Sequence, residues 1–252
     1  MGPIVLITGA TSGIGKASAE LFAQHHFDVI ITGRRQQKLD EFADELRKKS
    51  GRRVLALSFD VRDNLAVEEN LGSLPENWSN ISVLLNNAGL AAGHSPIQTG
   101  DIEDWETMID TNVKGLLYVT KVISKIMIEK GSGHIINVGS LAGKEVYPNG
   151  NVYCATKFAV DALTKAMRMD LHPHGIKVTQ IAPGLVETEF SIVRFKGDET
   201  RAKKVYDGFK PLTAEDIAAT IWFAASQPAH VQIQDIVLTP IAQASTTMVL
   251  RK

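Results

Sequence analysis

"PIVLITGATSGIG", residues 3–15, decides the fold. The run "PIVLIT" (3–8) is continuously apolar and β-branched, which reads as a strand buried on both faces. A glycine-rich turn follows at once, and a helical pattern runs from Gly13 to His25. Gly9, Gly13 and Gly15 stand in the spacing G-x-x-x-G-x-G. Such a turn lets backbone approach a phosphate and aims a helix N-terminus at the anion. The turn residues Gly9, Thr11, Ser12, Gly13, Ile14 and Gly15 are therefore candidates for holding the pyrophosphate of a dinucleotide. A purely structural turn is the alternative.

The same alternation continues down the chain. Strands are expected at 28–32, 53–58, 81–87, 134–140, 176–182 and 236–240, about seven in all. Helical patterns fall near 37–49, 63–73, 101–130, 151–172 and 213–226. Apolar strands alternating with helices predict an α/β fold, a doubly wound, Rossmann-like parallel sheet covered on both faces. No repeat, low-complexity tract or linker divides residues 1–252, so a single domain is expected. Residues 190–212 are polar, follow a Pro-Gly turn and are expected to form a substrate lid on the rim of the sheet.

Hydrophobic residues make up 44% of the 252 and charged residues 22%, with a net charge of −1. That balance gives no basic field for nucleic acid, and no apolar run is long enough for a membrane span. A strand beginning at residue 3 leaves no room for a signal peptide before it, and the lone Cys154 fits a reducing cytoplasm. Cys154 is expected to be a buried small apolar residue rather than a reactive thiol. His172-Pro173-His174 reads as a helix end with no carboxylate cluster beside it, so no metal is expected.

The second strand ends at Thr32-Gly33-Arg34-Arg35, with no acid at 32–37. An Asp or Glu at that edge binds a ribose 2′-hydroxyl. Two arginines suit a 2′-phosphate instead, so NADP(H) is expected over NAD(H). Solvation of a helix start is the other use for Arg34 and Arg35. Asp60 and Val61 after the third strand face the adenine in this scheme, Asp60 accepting from the amino group and Val61 packing on the ring. An Asx turn or helix cap serves Asp60 equally well. In "NNAG" (86–89), Asn87, Ala88 and Gly89 allow close approach to a cofactor, and Asn86 has a structural role open to it.

Taken in order, "TGATSGIG", Asp60-Val61, "NNAG", Asn112 in "DTNVKG", Ser140 in "NVGS", "YCATK" at 153–157 and Pro183-Gly184 resemble the short-chain dehydrogenase/reductase family along nearly the whole chain. More narrowly, "ITGRRQQKL", "EDWETMIDTN", "GNVYCATK" and "VRFKGD" are similar to the bacterial NADP-dependent 3-hydroxy acid dehydrogenases that act on serine and L-allo-threonine. The resemblance implies an oxidoreductase in which Tyr153 is the acid/base, Lys157 its charge partner and ribose anchor, Ser140 the holder of the substrate oxygen, and Asn112 a relay residue in a local helix break. It also implies that Pro183, Gly184, Val186 and Thr188 border the nicotinamide, although Thr188 suits a helix cap too. A homotetramer built on the 101–130 and 151–172 helices is implied in the same way.

Tyr153 and Lys157 are one helical turn apart, so their side chains share a face. A phenol with a pKa near 10 is a poor base at neutral pH, and a neighbouring ammonium together with a bound oxidised nicotinamide is expected to draw it down. Arg194, in the lid, is the candidate clamp for a substrate carboxylate, a surface ion pair being its other reading. The expected substrate is a small 3-hydroxy acid or hydroxy amino acid. A reductase of other small carbonyls is the alternative, and a non-catalytic cofactor-binding regulator a remote one.

Overall fold

The computed structural model describes residues 2–252. In chain order the elements are β1 (Ile4–Ile7), α1 (Gly13–Gln24), β2 (Asp28–Gly33), α2 (Gln36–Ser50), β3 (Val54–Ser58), α3 (Asn64–Gly72) and β4 (Ile81–Asn86). Then come α4 (Ile102–Ile109), α5 (Leu116–Lys130), β5 (Gly133–Val138), α6 (Asn151–Leu171), β6 (Ile176–Pro183), α7 (Phe190–Arg194), α8 (Glu199–Lys204), α9 (Ala214–Ala225) and β7 (Asp235–Leu238). The strands make one parallel sheet in the order β3-β2-β1-β4-β5-β6-β7. This is the doubly wound sheet expected from the alternating pattern.

Strand parity sorts the core into two layers. Val5, Ile7, Val29 and Ile31 pack with α1, α2 and α9, while Ile4, Leu6 and Ile30 pack with α3, α5 and α6. Helix α2 shows how the covering works: Leu39, Phe42, Ala43 and Leu46 form its buried stripe. Gly51, at φ +65°, ends that helix in the left-handed conformation. At the far end of the sheet Asp28 is buried and gripped by Arg52 (2.6 Å) and Arg53 (2.8 Å). Burial alone would raise its pKa, but the hydrogen bonds and charges of those arginines win and hold it low.

Winding reverses between β1 and β4, and there the carboxyl ends of the strands open a crevice. Two features near it differ from a plain reading of the pattern. The 101–130 run is not one helix, because a π-helical segment, Asp110–Gly115, separates α4 from α5. A Cβ on Gly115 would stand 2.7 Å from Val61 Cγ2, so glycine at the end of the break lets the chain pass close under the loop after β3. Residues 190–212 include two short helices, α7 and α8, and residues 240–252 run back across them with one antiparallel bridge, Gln243 to Val249.

Candidate active site

The crevice encloses about 380 Å³, lined by the glycine turn, Arg34, Arg35, Asp60, Asn87–Gly89, Ser140, Tyr153, Lys157, the Pro183–Val186 segment and parts of residues 190–212. Val61 and Thr188 line it as well. Every expected cofactor-side residue except Gly15 therefore borders one cavity. Gly15 sits behind the turn, where a Cβ would meet Gly9 O and stand 2.6 Å from Asn87 Nδ2. Gly9 has φ +66°, and a Cβ there would lie 2.9 Å from Ala88 Cα. The Asn87 amide donates to Thr8 O (2.9 Å) and Gly9 O (3.0 Å), stitching the end of β4 to the turn. Thr8 Oγ1 in turn accepts from the backbone N–H groups of Asn87 and Ala88. Asn86 is structural: its amide donates to Thr120 and Asn137 at 2.9 Å each.

Past the end of β2, Arg35 donates to Thr11 Oγ1 (2.8 Å) and pairs with Glu189 (3.1 Å). Lys38 also approaches Glu189, at 3.9 Å. An acid thus reaches this edge from a segment far along the chain, which no reading of residues 32–37 detects. Asp60 accepts from the Arg62 guanidinium at 2.7 and 2.9 Å and from its backbone N–H, an Asx turn, while Arg34 lies 3.8 Å away. The turn reading of Asp60 is realised, and the residue lines the cleft as well. Thr188 Oγ1 accepts weakly from Phe190 N (3.3 Å), and its methyl faces Gly13 across the cleft.

At the chemical end α6 brings Tyr153 and Lys157 into the cavity, both buried. Lys157 Nζ donates to Val138 O (3.0 Å) and stands 5.9 Å from the Tyr153 ring centre. Ser140, at the end of β5, caps the next turn by accepting from Ala142 N (3.0 Å). Asn112, in the π segment, accepts from Leu90 N (2.8 Å) and donates to Leu90 O (2.8 Å) and Thr156 Oγ1 (3.0 Å). A regular helix would not turn this amide onto the "NNAGL" loop, which gives the break a physical purpose.

Without a nucleotide in the cleft, the ammonium alone does not lower the phenol. Burial pushes the Tyr153 phenol well above its ordinary value, reinforced by neighbouring Tyr147. The Ser140 hydroxyl and the Arg194 guanidinium pull it back, and only in part. Lys157 is not what lowers it, because burial without a counter-anion drops the ammonium itself to about 8. Two desolvated groups each resist charge, and that outweighs their mutual attraction.

Arg194 extends over the rings of Tyr147 (5.4 Å) and Tyr153 (5.8 Å). Its Nε and Nη2 are buried and have no partner among the described residues. It is thus no surface ion pair. His94 lies nearly parallel to Tyr147 at 6.4 Å, and a second recess joins His94 to Arg194 and Tyr153. Cys154 is buried beside this cluster, as expected. The sequence reading overlooked Tyr147, Glu189, Tyr206 and Gln243, all of which shape the cavity or its walls. Among the described residues no group of three or more His, Cys, Asp or Glu could hold a metal ion, and no helix is long and apolar enough to cross a membrane.

A glycine turn on the first strand, a switch-point cleft, and a buried Ser-Tyr-Lys set with an asparagine in a helix break define a nicotinamide-dependent dehydrogenase. Residues 3–198 match the short chain dehydrogenase family model, and the chain belongs to that family. Among its relatives, the NADP-dependent 3-hydroxy acid dehydrogenase YdfG of Escherichia coli O6:H1 is 49% identical over 95% of this chain and 96% of its own. Sulfoacetaldehyde reductase 2 of Chromohalobacter salexigens is 45% identical over 97% and 96%. A solved structure of the closed form of serine dehydrogenase complexed with NADP+ superposes with a TM-score of 0.93 at 47% identity, covering 99% of both chains.

Proposed function

We propose that this chain is an NADP-dependent dehydrogenase acting at the 3-hydroxyl or 3-oxo carbon of a small 3-hydroxy acid or hydroxy amino acid, of the serine, L-allo-threonine and 3-hydroxypropionate class. The observation that carries the substrate class is Arg194, a guanidinium that lines the same cavity as Ser140 and Tyr153 and whose Nε and Nη2 have no hydrogen-bond partner among the described residues. A carboxylate matches a guanidinium fork with two charge-assisted hydrogen bonds.

The cleft fits NADP(H). Gly9 and Gly15 let the turn pack against Ala88 and Asn87 where a Cβ would clash, which keeps it tight at the cleft, and Arg34 and Arg35 supply cations at the edge where a 2′-phosphate would lie. Thr11, Ser12, Gly13 and Ile14 would hold the pyrophosphate, Asp60, Val61, Asn87, Ala88 and Gly89 the adenosine side and floor, and Pro183, Gly184, Val186 and Thr188 the nicotinamide. When bound, NADP(H) supplies or accepts the hydride. Tyr153 holds its proton firmly at neutral pH, so its phenol is loaded to protonate a carbonyl oxygen as that oxygen gains charge. Ser140 orients the same oxygen by hydrogen bonding. Lys157 anchors ribose hydroxyls, and Asn112 fixes the Leu90 backbone at the cleft floor. In the oxidising direction Tyr153 must first lose its proton, which Arg194 and Ser140 favour.

The whole chain serves as one domain with residues 190–212 as its lid, works in the cytoplasm, and assembles as a homotetramer through α5 and α6. Exposed Leu117 and Phe158 support that assembly. A second reading has one observation behind it: the Arg194 fork takes a sulfonate as readily as a carboxylate, and a relative is named a sulfoacetaldehyde reductase. A rate panel with both cofactors against serine, allo-threonine, 3-hydroxypropionate, sulfoacetaldehyde and a neutral alcohol separates these. Arg194→Met should raise KM for hydroxy acids roughly a hundredfold, about 3 kcal/mol, and leave the neutral alcohol nearly unchanged. Equal effects on both would reject the clamp, and a strong preference for sulfoacetaldehyde would replace the carboxylate.

A further inference from the structure

The backbone at the nicotinamide end of the cleft is pinned from several directions. Leu185 N donates to Gln243 Oε1 (2.8 Å), and Leu185 O accepts from Leu212 N (3.1 Å). Glu187 N donates to Leu212 O (2.9 Å), and Val186 O accepts from the Tyr206 hydroxyl (2.8 Å). Among the described residues the Val186 N–H has no acceptor, and Val186 lines the cavity. The Val186 N–H is thus left free beside the cleft while Leu185 N, Leu185 O, Val186 O and Glu187 N around it are fastened.

Tyr206 does more than hold Val186. Its oxygen also lies 2.7 Å from Ser191 Oγ. A phenol has one proton, and here that proton goes to Val186 O, so Ser191 must donate into Tyr206. The result is a directed chain, Ser191 Oγ–H to Tyr206 Oη–H to Val186 O=C, with Ser191 buried. Ser191 sits on the five-residue helix α7, whose last residue is Arg194. The backbone of Arg194 is fixed too, accepting from Gly93 N (3.1 Å). Arg194 and Ser191 belong to one turn of helix and move together.

We propose that Tyr206 is a positioning residue that links the carboxylate clamp to the cofactor-facing backbone, so that a carboxylate gripped by Arg194 and a nicotinamide held by Val186 stabilise each other. The proposal rests on the clamp reading of Arg194. Closing Arg194 on a carboxylate settles α7, Ser191 settles with it, and Tyr206 passes the constraint to the Val186 peptide. Thermodynamic linkage makes the effect mutual: whatever the acid does for cofactor affinity, the cofactor does for the acid.

The test uses NADPH with 3-hydroxypropionate, a pair of reduced partners between which no hydride can pass. The NADPH dissociation constant is measured by fluorescence titration with and without saturating 3-hydroxypropionate. In the wild-type protein the acid should tighten NADPH by about tenfold, inside the range usual for coupled sites. Tyr206→Phe keeps the ring and deletes both hydrogen bonds, and Ser191→Ala breaks the chain at its other end. Each should bind NADPH alone within about threefold of wild type while the tightening falls to nearly nothing. Circular dichroism shows whether each variant is folded, and either variant suffices. No tightening in wild type, or full tightening in a folded variant, overturns the proposal. Arg194→Met is the separate control. If it still shows the wild-type effect, the clamp reading itself is wrong and this inference goes with it. If it abolishes the effect while Tyr206→Phe does not, only the linkage through Tyr206 fails.

Discussion

Replacing Lys157 with methionine separates what this side chain costs the fold from what it does for catalysis. Lys157 is 7% exposed, has no paired carboxylate among the described residues, and donates to Val138 O. Its pKa falls from 10.5 to about 8 through burial alone. The folded value lies below the unfolded one, so between them the unfolded chain binds more protons and stability rises with pH. The gap is worth about 3 kcal/mol of destabilisation at pH 7, of which about 2 is relieved by about pH 9.5. Above pH 10 Tyr153 acts the other way, because its raised pKa keeps a proton that the unfolded phenol releases, and stability falls again. Methionine fills the space without the charge and forfeits one hydrogen bond, worth about 1 kcal/mol. Lys157→Met should therefore be more stable than wild type by about 2 kcal/mol at pH 7 and nearly equal to it by about pH 9.5, while losing most activity. Urea unfolding of the nucleotide-free proteins, followed by tryptophan fluorescence at both pH values, gives the comparison. Parallel pH dependences in the two proteins would show that Lys157 is not a buried titrating group and refute the reasoning.

Two further outcomes test the cofactor end. Gly15→Ala forces a methyl against Gly9 O and Asn87, which should cost about 2 kcal/mol of stability and weaken NADPH at least tenfold, read by thermal melting and fluorescence titration. An alanine variant with wild-type affinity would mean that the turn relaxes freely and is no cradle. Arg35→Ala should cut the kcat/KM preference for NADP(H) over NAD(H) by roughly thirtyfold, about 2 kcal/mol, because a phosphate partner goes and Glu189 is left less neutralised. An unchanged preference would move 2′-phosphate recognition away from this residue.

Much of the site was legible because its parts are local. The strand–glycine–helix unit at 3–25 announces itself by residue type, and the four-residue gap from Tyr153 to Lys157 becomes a shared face as soon as α6 forms. Asn112 was harder: as a helix residue it looked ordinary, and only the ordered motifs around it pointed to a break. The continuous apolar runs of β1, β2 and β4 foretold a sheet buried on both faces, since residue pattern is a property of the chain itself.

What only the tertiary structure decided lies in contacts between distant segments. Glu189 meets Arg35 across 154 positions, Tyr206 reaches back to Val186, and Gln243 holds Leu185. No local pattern encodes such meetings. The charge state of the centre belongs to the same class. The order of residues placed a cation one turn from a phenol, which, together with a bound oxidised nicotinamide, suggested a lowered pKa for Tyr153. Folding then removed water from both side chains, and desolvation, a property of the surrounding volume rather than of neighbours in sequence, turned the shift of the nucleotide-free protein the other way.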